Sequence, residues 1–254
     1  MDLGKSNGAM RKIVAVPVVL ALVVLTAGLA QARAPYFFVA PAQIDAVDML
    51  PSPPANGSAK AKAELAELHR IETQRTAGEI AAARADEAER DIFIFKTVLG
   101  KGFNARALPL TAVLSKHVEQ DEKADIEPVK NVFRRERPYN FDKSLHPVCW
   151  TKIKNDSYPS GHTMTGYLMA LVLSSILPER RDAIFARADD YAHHRLICGV
   201  HYPSDVEAGK RLAYALFAVM ATKPRFKAER AAAEAEMRRV LALSARANAS
   251  RHVE

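Results

Sequence analysis

The sequence predicts an all-α fold, a single compact helical domain. Three observations lead there. Strict alternation of apolar and polar residues is nearly absent, so half-buried strands have no pattern to form on. Long stretches rich in Ala, Glu, Leu and Arg carry strong helix preference. Ser, Pro and Gly stand at their edges, where helices start and stop. With 254 residues, 49% apolar and 26% charged, the chain can bury a sizeable core. Only 11 Gly and 14 Pro exclude collagen-like and low-complexity classes. Two cysteines exclude a disulfide-dense scaffold and a four-thiolate zinc site. No repeat is visible, which argues against a solenoid.

The elements follow in order. Arg11 and Lys12 precede an apolar run from Ile13 to Ala30, and Ala30-Gln31-Ala32 follows as an A-x-A cleavage pattern. Residues 1–32 therefore read as a secretory signal peptide. An uncleaved anchor is the alternative, because the run is long and Pro17 interrupts it. Residues 33–57 read as an extended N-terminal segment closed by Pro51-Ser52-Pro53-Pro54, and 58–250 as the all-helical domain. Ser58 caps a long helix over 59–90. A short apolar element over 91–99 stops at Gly100. Thr111 starts a helix to about Lys123, and Pro128 opens another that Arg137-Pro138 ends. Residues 139–158 read as loop. A helix from Gly161 to Leu177 is apolar on nearly all sides and hence central; Pro178 stops it. Asp182–Cys198 is helical, with Gly199 as C-terminal cap. Pro203 opens a helix to Thr222, and a charged Ala/Glu/Arg helix finishes the chain.

The longest later apolar run, Met164 to Leu177, has 14 residues, short of a bilayer span. The reading is thus an exported protein, periplasmic or secreted, with no stable membrane partner after cleavage. The net charge of +7 falls to +5 without residues 1–32, which carry +2 through Asp2, Lys5, Arg11 and Lys12. That excess is small, no basic stripe is interleaved with aromatics, and no nucleic-acid partner is expected. An oxidising compartment makes Cys149 and Cys198 disulfide candidates, worth about 4 kcal/mol in the chain-entropy model; two buried thiols are the alternative. The helix over 59–90 either covers the core or supports a homo-oligomer.

Three segments carry chemistry. In Lys130-x6-Arg137-Pro138, seven helical residues turn through about 700°, so both cations share a face if the helix persists. An ordinary basic stretch is the alternative, since Arg134 and Arg135 lie between. In Ser157-Tyr158-Pro159-Ser160-Gly161-His162-Thr163, a loop enters a helix N-terminus, where free N–H groups make an anion site. Ser160 offers a hydroxyl, Gly161 a close backbone approach, and His162 a proton; a plain N-cap explains the same residues. In His194-Arg195-x5-His201-x3-Asp205, a carboxylate four residues from a histidine can hold one ring N–H and free the other nitrogen. Arg195 is a planar fork for two phosphate oxygens. A structural His–Asp pair, or metal ligation, would use the same residues.

Together, the three segments resemble the phosphatidic-acid-phosphatase type 2 superfamily, with its K-x6-R-P, P-S-G-H and S-R-x5-H-x3-D pattern. Ser157–Thr163 and Ile197–Val206 are closest to the bacterial class A non-specific acid phosphatases. The resemblance implies the helical fold shared with vanadium haloperoxidases. It implies a metal-independent, cofactor-free acid phosphatase of broad specificity, acting on small-molecule phosphate monoesters. His201 would be the nucleophile that becomes a phosphohistidine, Asp205 its orienting group, and His162 the general acid. Lys130, Arg137, Ser160, Gly161 and Arg195 would bind phosphate. Two residues depart from the pattern. His194 replaces the usual Ser and would modulate donors or the pH profile. Asp156 replaces a frequent Gly and would repel acidic substrates at the mouth. Tyr139, Tyr158 and Tyr202 either line that mouth or pack; Trp150 reads as packing. The competing readings are a haloperoxidase, for which the chain is short, a phosphatase of lipid phosphates, and a non-catalytic oxyanion- or nucleic-acid-binding protein.

Overall fold

In the computed structural model, Met1 and residues 36–251 are described, with side chains through 241. The signal-peptide reading falls, Met1 aside, outside the described residues. The described helices are α1 (Ala59–Gln74), α2 (Ala77–Ala88), α3 (Lys96–Leu99), α4 (Pro109–Phe133), α5 (Pro138–Phe141), α6 (Gly161–Ile176), α7 (Arg181–Ile197), α8 (Pro203–Met220) and α9 (Pro224–Arg251). Short 3-10 turns lie at Pro41–Gln43, Ile92–Phe95 and Pro178–Arg180. No strand occurs among the described residues, so the all-α expectation holds.

Helix α6 is the axis of the fold. Its apolar character on all sides is explained by burial of every residue except His162 and Ser175. It packs most extensively on α8 and α7, then on α4 and α9. Close approach to α8 depends on Gly209, where an added Cβ would run into the Ser160 carbonyl and come within 3.2 Å of Thr163.

Residues 139–141, expected as loop, belong to the short helix α5, and three further boundaries differ from the sequence reading. The helix expected over 59–90 breaks at Arg75 and Thr76, both extended. Thr76 Oγ1 accepts from the Glu79 N–H (3.2 Å) while Glu79 accepts from the Thr76 N–H (2.7 Å), and this reciprocal capping starts α2 afresh. Conversely, α4 runs unbroken through Pro128, where two helices were expected. Leu114, Val118, Ile126 and Val129 along it are buried. Their burial, at roughly 1.5–3 kcal/mol for each large side chain, outweighs the proline cost of about 3 kcal/mol. Finally, α4 stops at Phe133, where Arg134 is left-handed (φ 45°). Lys130 and Arg137 therefore do not share a helix face; Arg137 stands at the N-cap of α5.

The segment before α1 is fastened to the domain. Phe38, Val39, Ile44 and Leu50 join the core. The Asp121 carboxylate of α4 accepts the N–H groups of Phe37, Phe38 and Val39. At the other end, Cys149 and Cys198 form a disulfide (Cα–Cα 5.2 Å) that ties the loop after α5 to the end of α7.

Candidate active site

The site forms where α7 ends and α8 begins. Gly199 (φ 71°) reverses the chain after α7, a conformation that costs glycine nothing. His201 follows in the corner, and Asp205 sits in the first turn of α8. The free amides of a helix start attract a carboxylate. Asp205 Oδ2 accordingly accepts the Tyr202 N–H (2.9 Å) and also faces His201 Nδ1 (3.2 Å). With Nδ1 donating to the carboxylate, His201 Nε2 is left as an acceptor, and Arg137 donates to it from 3.2 Å. Burial, then the charges of Arg137 and Arg195, hold His201 well below the ordinary histidine range.

Around this imidazole lies a cavity of about 370 Å³. Lys130, Arg137, Gly161, His162, Arg195 and His201 all line it. Segments 70 residues apart thus line one cavity. Lys130 donates to the carbonyls of Asp156 (2.6 Å) and Pro159 (2.7 Å). Burial, then the neighbouring Arg137, lowers it to about 8. Arg195 is 4% exposed, its NH2 reaches Glu87 at 3.3 Å, and its buried Nε has no hydrogen-bond partner. A buried donor left unmade is costly, and an incoming oxyanion would satisfy it. His162 opens α6 and donates Nε2–H toward the Glu87 carbonyl (3.3 Å). Burial, then Arg195 and Arg90, push its pKa well below the ordinary value.

Ser160 and Asp205 do not line the cavity; both are fully buried behind it. Ser160 is the N-cap of α6, its Oγ 2.9 Å from Thr163 Oγ1. His194 is turned away from the cavity. Its Nδ1 lies 2.6 Å from Asp86, which Arg187 also holds, so the structure does not bring it to the cavity-lining residues. Asp156 is also corrected. Instead of standing free at the mouth, it accepts from Arg137 Nε (2.8 Å) and Lys152 Nζ (2.6 Å). Burial raises its pKa, but Arg137 and then Lys152 outweigh this and hold it at about 2. Tyr139, Tyr158 and Tyr202 are buried and away from the cavity lining, while Trp150 lines it.

Sequence reasoning missed the support behind Asp205. Arg135 NH1 donates to Asp205 Oδ1 (2.7 Å) and NH2 to Glu64 (2.8 Å), and its guanidinium lies 3.8 Å over the Tyr202 ring. Ser157 Oγ donates to Asp205 Oδ2 (2.5 Å). Arg135 carried no signal, because it sits in a run of basic residues. Glu87, Arg90 and Glu122 also line the cavity and belong to no motif. Glu87 lies near both disulfide sulfurs, but sulfurs joined to each other offer no thiolate to a metal.

A buried imidazole with Nε2 as an acceptor shares one cavity with Lys130, Arg137, Arg195 and the start of α6, the kind of parts phosphoryl transfer uses. The PAP2 superfamily model matches residues 110–228. A non-specific acid phosphatase of Providencia stuartii is 34% identical over 72% of this chain and 77% of its own length. A Salmonella typhimurium non-specific acid phosphatase is 36% identical over 58% of this chain and 61% of its own. Two solved structures share the fold at 19% identity: a bacterial vanadium-dependent iodoperoxidase and a Bacillus subtilis PAP2-type phosphatidylglycerolphosphate phosphatase. The first has a TM-score of 0.53 over 71% of this chain and 54% of that one. The second has 0.51 over 65% and 86%. The chain belongs to the PAP2 superfamily, as a class A acid phosphatase, and is a phosphatase enzyme.

Proposed function

We propose that the chain is an exported, metal-independent acid phosphatase that hydrolyses small phosphate monoesters through a phosphohistidine on His201. One observation carries this reading: the His201–Asp205 hydrogen bond leaves Nε2 unprotonated and facing the cations of the cavity. Lys130, Arg137 and Arg195 neutralise the phosphoryl oxygens, and the amides opening α6 add donors. The Nε2 lone pair attacks phosphorus as the P–O bond to the leaving group breaks. His162 gives its proton to the departing oxygen. It then takes a proton from the water that attacks phosphorus, the P–N bond breaks, and phosphate leaves. Asp205 stabilises the charge His201 gains, with Arg135 and Ser157 holding the carboxylate.

Catalysis needs His201 neutral and His162 protonated. Both are depressed in the free enzyme, so the bell-shaped kcat/KM profile should lie on the acid side of the ordinary histidine value. A bound phosphate anion offsets Arg90 and Arg195 and lets His162 keep its proton. Export is supported by the apolar run before Ala30-Gln31-Ala32 and by the disulfide. On this reading the leader is 1–32 and the catalytic domain begins beyond it.

The test is hydrolysis of a chromogenic aryl phosphate by purified protein in EDTA from pH 4 to 9, with His201→Ala alongside. Vanadate-inhibited turnover that vanishes in the variant, with an acid-labile, alkali-stable phosphoenzyme, is expected. Activity abolished by EDTA, or retained by His201→Ala, would overturn the mechanism. Cell fractionation and the N-terminal sequence of the exported chain test the leader.

A further inference from the structure

The cavity is larger than a phosphate group requires and falls within the size range of small-molecule sites. Nearly all of its lining side chains are charged or imidazole. The exceptions with apolar side chains are Ile126 and Trp150. Trp150 is 71% exposed and belongs to no motif. A single exposed apolar residue needs no explanation by itself. What distinguishes Trp150 is how firmly its backbone is held at the cavity.

Glu87 Oε2 accepts its N–H at 2.8 Å. The preceding residue, Cys149, is bonded to the fully buried Cys198. Val148 donates to the Cys198 carbonyl (3.1 Å), and its own carbonyl accepts from Arg84 (2.6 Å). Three consecutive residues are thus anchored to α2 and to the end of α7. Glu87 is also the residue that meets Arg195 and accepts from His162. The Trp150 backbone is therefore tied to Glu87, which also meets Arg195 and His162, while the indole itself lines the cavity. With the backbone fixed, only the two side-chain torsions of Trp150 remain to be ordered when the ring stacks on a ligand.

We propose that Trp150 forms the leaving-group wall of the site and gives this enzyme a preference for phosphate monoesters whose alcohol carries a planar aromatic ring. This rests on the phosphatase reading above and names its substrate class. Stacking of two aromatic rings contributes roughly a 2- to 10-fold preference beyond area burial.

The test compares benzyl phosphate with cyclohexylmethyl phosphate, both esters of primary alcohols and similar in size. The ratio of their kcat/KM values cancels losses in folded fraction. Trp150→Ala should lower the benzyl preference by about 2- to 10-fold, and Trp150→Phe should restore most of it. Trp150 is the chain's single tryptophan, so emission reads the site directly. Benzylphosphonate should change wild-type emission saturably, over the concentrations at which it inhibits. An unchanged ratio in Trp150→Ala, or competitive inhibition with no change in emission, would overturn the role of Trp150 and leave the phosphatase reading standing. Turnover of neither ester by the wild-type protein would overturn both.

Discussion

Replacing Glu122 by Gln should favour the folded protein more at pH 8 than at pH 4. Glu122 on α4 is fully buried at the cavity wall, and neither carboxylate oxygen has a hydrogen-bond partner. Arg90 NH2 stands 3.7 Å away, too far to replace the lost hydration. Burial, against the pull of Arg90 and Lys130, raises the carboxyl from 4.5 to about 7. Below pH 4.5 it is protonated in folded and unfolded chains alike, and nothing is lost. Between 4.5 and about 7 the unfolded chain releases a proton that the folded chain retains, so stability falls as pH rises. Above about 7 the full penalty is present. Each tenfold change in proton affinity is worth about 1.4 kcal/mol, so the penalty reaches roughly 3 kcal/mol. For a domain of this size that is about 6–12 °C in Tm. A buried amide carries its own pH-independent cost of about 1–3 kcal/mol. The diagnostic is therefore the change in the Tm difference between pH 4 and pH 8, read by thermal denaturation. Parallel Tm–pH curves for the two proteins would refute the reasoning.

Other substitutions probe the remaining supports. Asp205→Asn should lower kcat on the order of 10³-fold or more, because an amide no longer selects the tautomer with a free Nε2; stopped assays near the pH optimum read it. Arg135→Leu leaves Asp205 and Glu64 buried without their shared cation, and should cost about 3–5 kcal/mol of stability in a urea titration. Gly209→Ala drives a methyl group against the Ser160 carbonyl, so Tm and kcat/KM should fall together as α8 is pushed off the start of α6.

Much of the fold was legible because its signals are local. The apolar run of α6, the serine before α1 and the prolines opening α8 and following α6 act within a few residues of themselves. The break at Thr76 was equally local, written in Thr76 and Glu79, and was passed over in a stretch of strong helix formers. The continuity of α4 through Pro128 was not legible. It depends on what Ile126 and Val129 meet in the core, and sequence periodicity does not report that.

The site divides along the same line. Residue type and spacing by themselves pointed to Lys130, Arg137, His162, Arg195 and His201 through three motifs, and these five line one cavity. Only the tertiary structure decided their relations. It turned His194 to Asp86, made Asp156 a clamp on Arg137, set Arg135 behind Asp205 and held Trp150 at the cavity. The physical reason is range. Capping, turn formation and helix propensity act over a few residues. A buried charge must instead find its partner wherever packing brings one, and Arg135 found Glu64 71 positions away in the chain.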